Sequence, residues 1–189
     1  MKKIIAGAFA LCMLFSCANQ QTKQFTGSIV DASMNTLTVK SSDSQETRTF
    51  ATTDADMAQA NGLLIGSPVV VDYKTPLGDL TTAVKVIADS TYAKAIGSWT
   101  MPDPLAPDSL RMGVNIMVEG QAASINMATL LYQSWELGGQ PDKIVLKGQS
   151  LGNGETIDFS EIATISEKDG KMYMDIEGTG VVYEKDSIQ

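Results

Sequence analysis

From about residue 24 onward the chain is built of short runs in which apolar and polar residues alternate, bounded by Gly, Asn, Asp and Ser. Such runs read as half-buried β-strands. The first group is Phe25 to Ala32, Asn35 to Lys40, Glu46 to Thr52, Ser67 to Lys74 and Leu80 to Ile87. Asp54 to Gly62 interrupts the alternation. Thr53 or Asp54 can cap a short helix there, with Asn61-Gly62 ending it. Three strands, a short helix and two strands is the element order of an OB-like barrel, and another small β-barrel or sandwich has the same count. Asp89 to Ala95 reads as a linker with a helical turn. After it, a proline-rich stretch, Met101 to Pro107, cannot be an interior strand. Strands then return at short spacing, from Leu110 to Lys185, and Gly152-Asn153-Gly154 is a strong hairpin signal. About eight strands joined by short turns can close into an up-and-down barrel without edges. The expectation is an all-β chain of two small β-barrels. The first, OB-like, spans residues 24–90 with five strands plus a short helix. The second spans 96–186 with about eight strands.

The N-terminus follows a different rule. Lys2 and Lys3 precede an apolar run from Ile4 to Phe15. Twelve apolar residues are too few to cross a bilayer, which needs about 20, but they suit a secretory signal peptide. The run ends in Leu14-Phe15-Ser16-Cys17, which resembles a bacterial lipobox; an ordinary signal peptide cut elsewhere is the alternative. The resemblance implies a signal peptide over residues 1–16, a diacylated Cys17 as the new N-terminus, and a lipidated tether over 17–23. Ala18 follows the cysteine, and Ala18 to Lys23 holds no acidic residue. By resemblance to known lipoproteins, this implies the cell envelope and an outer-membrane anchor facing the periplasm.

Composition sharpens that picture. The chain carries 14 Lys+Arg, 22 Asp+Glu and no histidine, and its only cysteines are Cys12 and Cys17. Loss of the signal peptide leaves 12 basic against 22 acidic residues. The mature body then has neither imidazole nor free thiol. Histidine-based triads, histidine zinc sites and cysteine nucleophiles are excluded. Nucleic acid is not an expected partner of so acidic a surface. The OB-like segment has five basic and eight acidic residues between Thr22 and Ser90, and its aromatics Phe25, Phe50 and Tyr73 read as core. Carboxylate pairs such as Asp158 and Glu161 carry no flanking motif and read as solvated. No catalytic residue, metal site or cofactor is expected, and the chain reads as a non-enzyme.

The second segment opens with Gly97-Ser98-Trp99, which matches the Gly-x-Trp of the first lipocalin strand. Ala123 to Trp135 (ASINMATLLYQSW) and Gly148 to Ile157 (GQSLGNGETI) are more specific. Together they resemble the lipocalin-like domain of lipoproteins from gut bacteria of the Bacteroides type, over about Ile96 to Lys185. The resemblance implies a lipocalin-like barrel in which Gly97 and Trp99 are structural. In lipocalins that tryptophan packs against an arginine near the last strand. Here the last strand offers Lys185, so a lysine takes that place or the plug is not made.

Period-two alternation marks an inner face that includes Met112, Val114, Ile116, Val118, Trp135, Leu146, Phe159, Met172 and Met174. All are apolar, as either a filled core or a pocket requires. As a pocket they would bind a small hydrophobic or amphipathic ligand. The six methionines of this half read as gap-filling or pocket-lining residues rather than copper ligands. The function expected is a membrane-anchored envelope lipoprotein that binds a small ligand. The alternative is a non-catalytic interaction or stress-sensing module acting through an envelope protein partner.

Overall fold

Phe25, Gly27 and Ile29 turn to the inside of the first strand, and the polar residues between them turn to solvent. A computed structural model describes residues 22–74 and 81–186. The signal peptide, Cys17 and most of the tether lie outside the described residues. The first unit contains β1 (Thr22–Ala32), β2 (Thr36–Ser41), β3 (Thr47–Ala51), β4 (Asp56–Gln59), β5 (Pro68–Lys74) and β6 (Thr81–Ala88). Their order in the sheet is β3-β2-β1-β5-β6-β4. A parallel contact between β3 and β6, pairing Phe50 with Thr81 and Ala51 with Thr82, joins the ends of the first five strands. Leu37, Val39, Phe50, Val71 and Val86 fill the space inside.

The helix expected over Asp54 to Gly62 does not form. Asp56–Gln59 instead runs parallel to β6 as β4. Ala55 and Met57 alternate toward the core while Asp56 and Ala58 stay outside. A helix this short gains little without an apolar stripe, whereas the edge of β6 offers open backbone groups.

The second unit contains β7 (Gly97–Pro102), β8 (Arg111–Ile116), β9 (Ala122–Ile125), β10 (Leu130–Leu137), β11 (Lys143–Gly152), β12 (Glu155–Lys168), β13 (Lys171–Ile176) and β14 (Val181–Lys185). Each pairs antiparallel with its neighbour in sequence from β7 to β9 and from β10 to β14, and β14 pairs with β7. The remaining gap, between β9 and β10, is bridged at Gln121 and Ser134. The Ser124 hydroxyl stitches the same seam. It donates to the Leu130 carbonyl at 2.6 Å and accepts from the Tyr132 amide at 2.7 Å. The barrel is thus nearly closed.

Two expectations need correction here. The helical turn expected at Asp89 to Ala95 forms as α1 (Ser90–Ala95), capped by Asp89, whose carboxylate accepts from the Thr91 amide at 2.7 Å, but it is more than a linker. Tyr92 and Ala95 of α1 belong to the core of the second unit. Val118 does not continue the inner face. The strand ends at Ile116, and Val118 sits 37 % exposed in a 3-10 turn whose Glu119 has φ of 59°.

Candidate functional site

One end of the second barrel is closed by α1. Thr91 and Lys94 hold the β10–β11 turn: the Thr91 hydroxyl accepts from the Asp142 amide at 3.0 Å, and the Lys94 ammonium pairs with the Asp142 carboxylate at 2.6 Å. Tyr92 packs on Trp135 with ring centroids 5.0 Å apart. Trp99 is fully buried, and its indole N–H donates to the Ala95 carbonyl at 2.7 Å. The Lys185 ammonium lies 5.2 Å from the centre of the Trp99 ring and donates to the Lys94 carbonyl at 2.6 Å. Burial pushes the Lys185 pKa down. Gly97 has φ of 131°, and a Cβ there would stand 3.0 Å from Lys185 Cε. The glycine therefore admits the lysine stem to the plug.

The opposite end is looser. On β12 the inward positions are 157, 159, 161, 163 and 165, because Ile157, Phe159, Glu161 and Ala163 pair with Ser150, Gly148, Leu146 and Ile144, and Ile165 pairs with Met174. Exposure falls along that row. Ile157 is 60 % exposed, Phe159 and Glu161 are half-buried, Ala163 is 0 % and Ile165 is 3 % exposed. The row is filled toward α1 and runs out into solvent at the β11–β12 turn, where residues 155–158 are exposed on both faces of the strand.

A polar pair sits on the inward side of this row. The Tyr132 hydroxyl donates to the Glu161 carboxylate at 2.9 Å. Burial raises the pKa of Tyr132, with Tyr183 and Glu161 adding to the rise. Tyr183 is raised by burial too. Tyr132 and Phe159 meet edge to face, with centroids 5.4 Å apart. Both pair with Gly148, and a Cβ at that position would stand 2.9 Å from Phe159 Cζ and collide with the Leu131 carbonyl. Gly148 is thus what allows two aromatic rings to cross the floor. Tyr132, Ser124 and Gly148 all lie in the two segments that carry the family resemblance.

The profile described as Lipocalin-like matches residues 91–186, about half of the chain. The chain belongs to the lipocalin-like family. The lipocalin-like domain begins inside α1, in agreement with the packing of that helix on the barrel. It is similar to a lipocalin-like protein from Bacteroides thetaiotaomicron of known crystal structure. The identity is 35 %, the alignment covers 49 % of this chain and 97 % of the other, and the TM-score is 0.42. No curated protein matches the chain.

Within the lipocalin-like domain, the residues expected on the inner face divide into three groups. Val114, Ile116, Trp135, Leu146 and Met174 pack together in the closed half, each no more than 4 % exposed. They form a filled core. Met112 and Phe159 are half-buried in the open half. Met172 is half-buried near the closed end, beside Lys185. Gly97 and Trp99 build the plug, and Lys185 takes the place of the arginine.

Glu161 was expected on a solvated face and instead points inward. The signal was available, since Ile157 and Phe159 set a phase that reaches position 161. A charge on an otherwise apolar phase hides that continuity.

A concavity of about 490 Å³ lies outside the barrel, lined by Leu64, Ala93, Ile96, Asn115 and Lys185 among others. Its ammonium is already engaged by Trp99 and the Lys94 carbonyl.

Proposed function

We propose that this protein is a lipoprotein of the bacterial cell envelope, anchored through Cys17, whose lipocalin-like barrel takes up a small apolar or amphipathic molecule. The observation that carries the reading is the graded exposure along β12, from 60 % at Ile157 to 0 % at Ala163. Eight-stranded barrels are wide enough to hold one small ligand, and here burial is complete only in the half next to α1. The anchor rests on Leu14-Phe15-Ser16-Cys17, and the outer membrane, facing the periplasm, on Ala18 and the acid-free tether.

The first unit is read as an OB-like spacer. Support comes from its strand order and the parallel β3–β6 contact. Its aromatics serve the core: Phe25, Phe50 and Tyr73 stack in sequence with centroids 5.5 Å apart. The Arg48 guanidinium covers Phe25 and Tyr73 and pairs with Glu46 at 2.6 Å. Such a cluster leaves no stacking platform for bases. The absence of imidazole and thiol from the mature body supports reading it as a binding protein.

An environment-sensitive naphthalene fluorophore tests the barrel. It should brighten saturably with the purified mature protein and be blocked by Met112→Trp, which fills the open half. Failure of every apolar probe to bind saturably would reject this reading.

A further inference from the structure

The concavity of about 490 Å³ outside the barrel lies where the two units meet. Leu64, from the loop between β4 and β5, forms one apolar wall and packs on the core of the second unit. Ala93 and Ile96 add to the apolar lining. Ser98 and Asn115 come from the paired ends of β7 and β8, and their side chains meet: the Ser98 hydroxyl donates to Asn115 Oδ1 at 3.3 Å. Among the described residues the NH2 of Asn115 has no partner, so it is a donor available to the concavity.

Among the described residues the lining holds one cation, Lys185, and one carboxylate, Asp186. The two do not cancel. The Asp186 carboxylate is held by Thr100, whose hydroxyl donates to it at 2.6 Å and accepts from Arg111 Nε at 2.7 Å. Among the described residues Lys185 forms no ion pair. Burial alone shifts its pKa, downward, with no carboxylate opposing the shift.

An ammonium has three donors. The Lys94 carbonyl takes one, and the Trp99 ring faces the charge without taking a hydrogen-bond donor of its own. The end of the side chain lies against Gly97, which also lines the concavity: a Cβ there would stand 3.8 Å from Nζ. A half-buried charge without a counter-ion carries a desolvation penalty that a bound opposite charge offsets.

We infer that this concavity binds a small organic anion, its carboxylate at the Lys185 ammonium and its short apolar body against Leu64, Ala93 and Ile96. An amine of the same shape would set like charge against like, and a neutral molecule would leave the ammonium without a counter-ion. The site is separate from the barrel interior and does not depend on what that interior takes up.

Benzoate, benzyl alcohol and benzylamine share a ring and differ in charge. Each is titrated at pH 7 into the isotope-labelled mature body from Ala18 onward, which retains every described residue. The amide NMR signals of Gly97, Ser98 and Asn115 are followed. Benzoate should shift them saturably and bind about tenfold more tightly than benzyl alcohol, and benzylamine should leave them in place. Lys185→Gln should bring benzoate and benzyl alcohol within about twofold of each other. Asn115→Asp leaves the plug untouched, keeps the acceptor for Ser98 and sets a negative charge in the wall. It should weaken benzoate about fivefold and change benzyl alcohol by less than about twofold.

Equal affinities for benzoate and benzyl alcohol, or benzoate shifts confined to the barrel interior, would overturn the anion site. So would benzoate binding that neither variant alters. Those outcomes leave the barrel reading intact, because the naphthalene fluorophore tests it separately.

Discussion

The Lys185 ammonium stands over the Trp99 ring, 5.2 Å from its centre, and is held there by the Lys94 carbonyl. The first and last strands of the barrel and the helix that closes it meet at this one contact. An ammonium makes the cation–π contact as a point charge. It lacks the flat fork of a guanidinium, so the backbone carbonyl fixes its position.

Trp99→Ala should be the most damaging single change in the plug. It removes a fully buried ring and a buried N–H donor, and the expected loss is about 3–5 kcal/mol. Urea unfolding of the purified protein measures it. Lys171→Ala, which removes an exposed partner of Glu184, should stay within about 0.5 kcal/mol and serves as the comparison.

Gly148→Ala should destabilise the barrel by about 1–3 kcal/mol, as overpacking does. The added methyl meets the Leu131 carbonyl and Phe159 Cζ. Gly152→Ala is the control, because nothing lies within 4 Å of a Cβ there. Equal midpoints for the two variants in urea would show that the aromatic crossing does not need the glycine.

Alkaline pH should weaken the fold through the buried phenols. Burial raises Tyr132 and Tyr183 above the ordinary value of 10.0. Above about pH 10 the unfolded chain has lost those protons and the native chain still holds them. The native state then binds more protons, so unfolding free energy falls as pH rises. Their contribution is complete below about pH 10 and is lost as pH climbs through the native values. Lys185, lowered by burial, acts in the opposite sense in the window just below 10.5. Stability measured in urea should therefore hold up to about pH 10 and then decline, and Tyr132→Phe should make the decline shallower.

Cys17→Ala should move the protein from the membrane fraction to the soluble fraction of the envelope. Radiolabelled palmitate should mark the wild type and not the variant. Unlabelled wild-type protein that still sediments with membranes would mean that a different attachment is at work.

Strand positions were legible because alternation is a local property. β2, β3 and β5 begin within a residue of where the pattern puts them. The β4 segment was not legible. Its conformation depends on the open edge of β6, whose paired residues lie 28 and 29 positions away in sequence, Ile87 from Gln59 and Lys85 from Asp56. The helical turn of α1 was expected, but its packing on the second barrel was not, for a related reason. Its six residues are too short to show a periodic stripe, and only the barrel end gives Tyr92 and Ala95 something to pack on. Of the site, the apolar face could be read and its division into a buried and an exposed end could not. Whether an inward residue is floor or wall depends on where the barrel is plugged, and that is set by Trp99, Lys185 and α1 acting together. Glu161 was obscured by the ordinary rule that charges face water.

Tyr92 has a consequence for anyone who divides the chain. Its hydroxyl donates to the Ile65 carbonyl of the first unit at 3.0 Å and accepts from the Glu119 amide of the second at 2.9 Å. The same phenol thus completes the backbone hydrogen bonding of a loop in each barrel. Expressed alone from residue 91, the second barrel would keep the tyrosine and lose its acceptor. The first barrel, ended at residue 90, would lose the donor altogether. Neither half would then be the half that exists in the whole molecule, and affinities measured on a severed barrel would describe a different object.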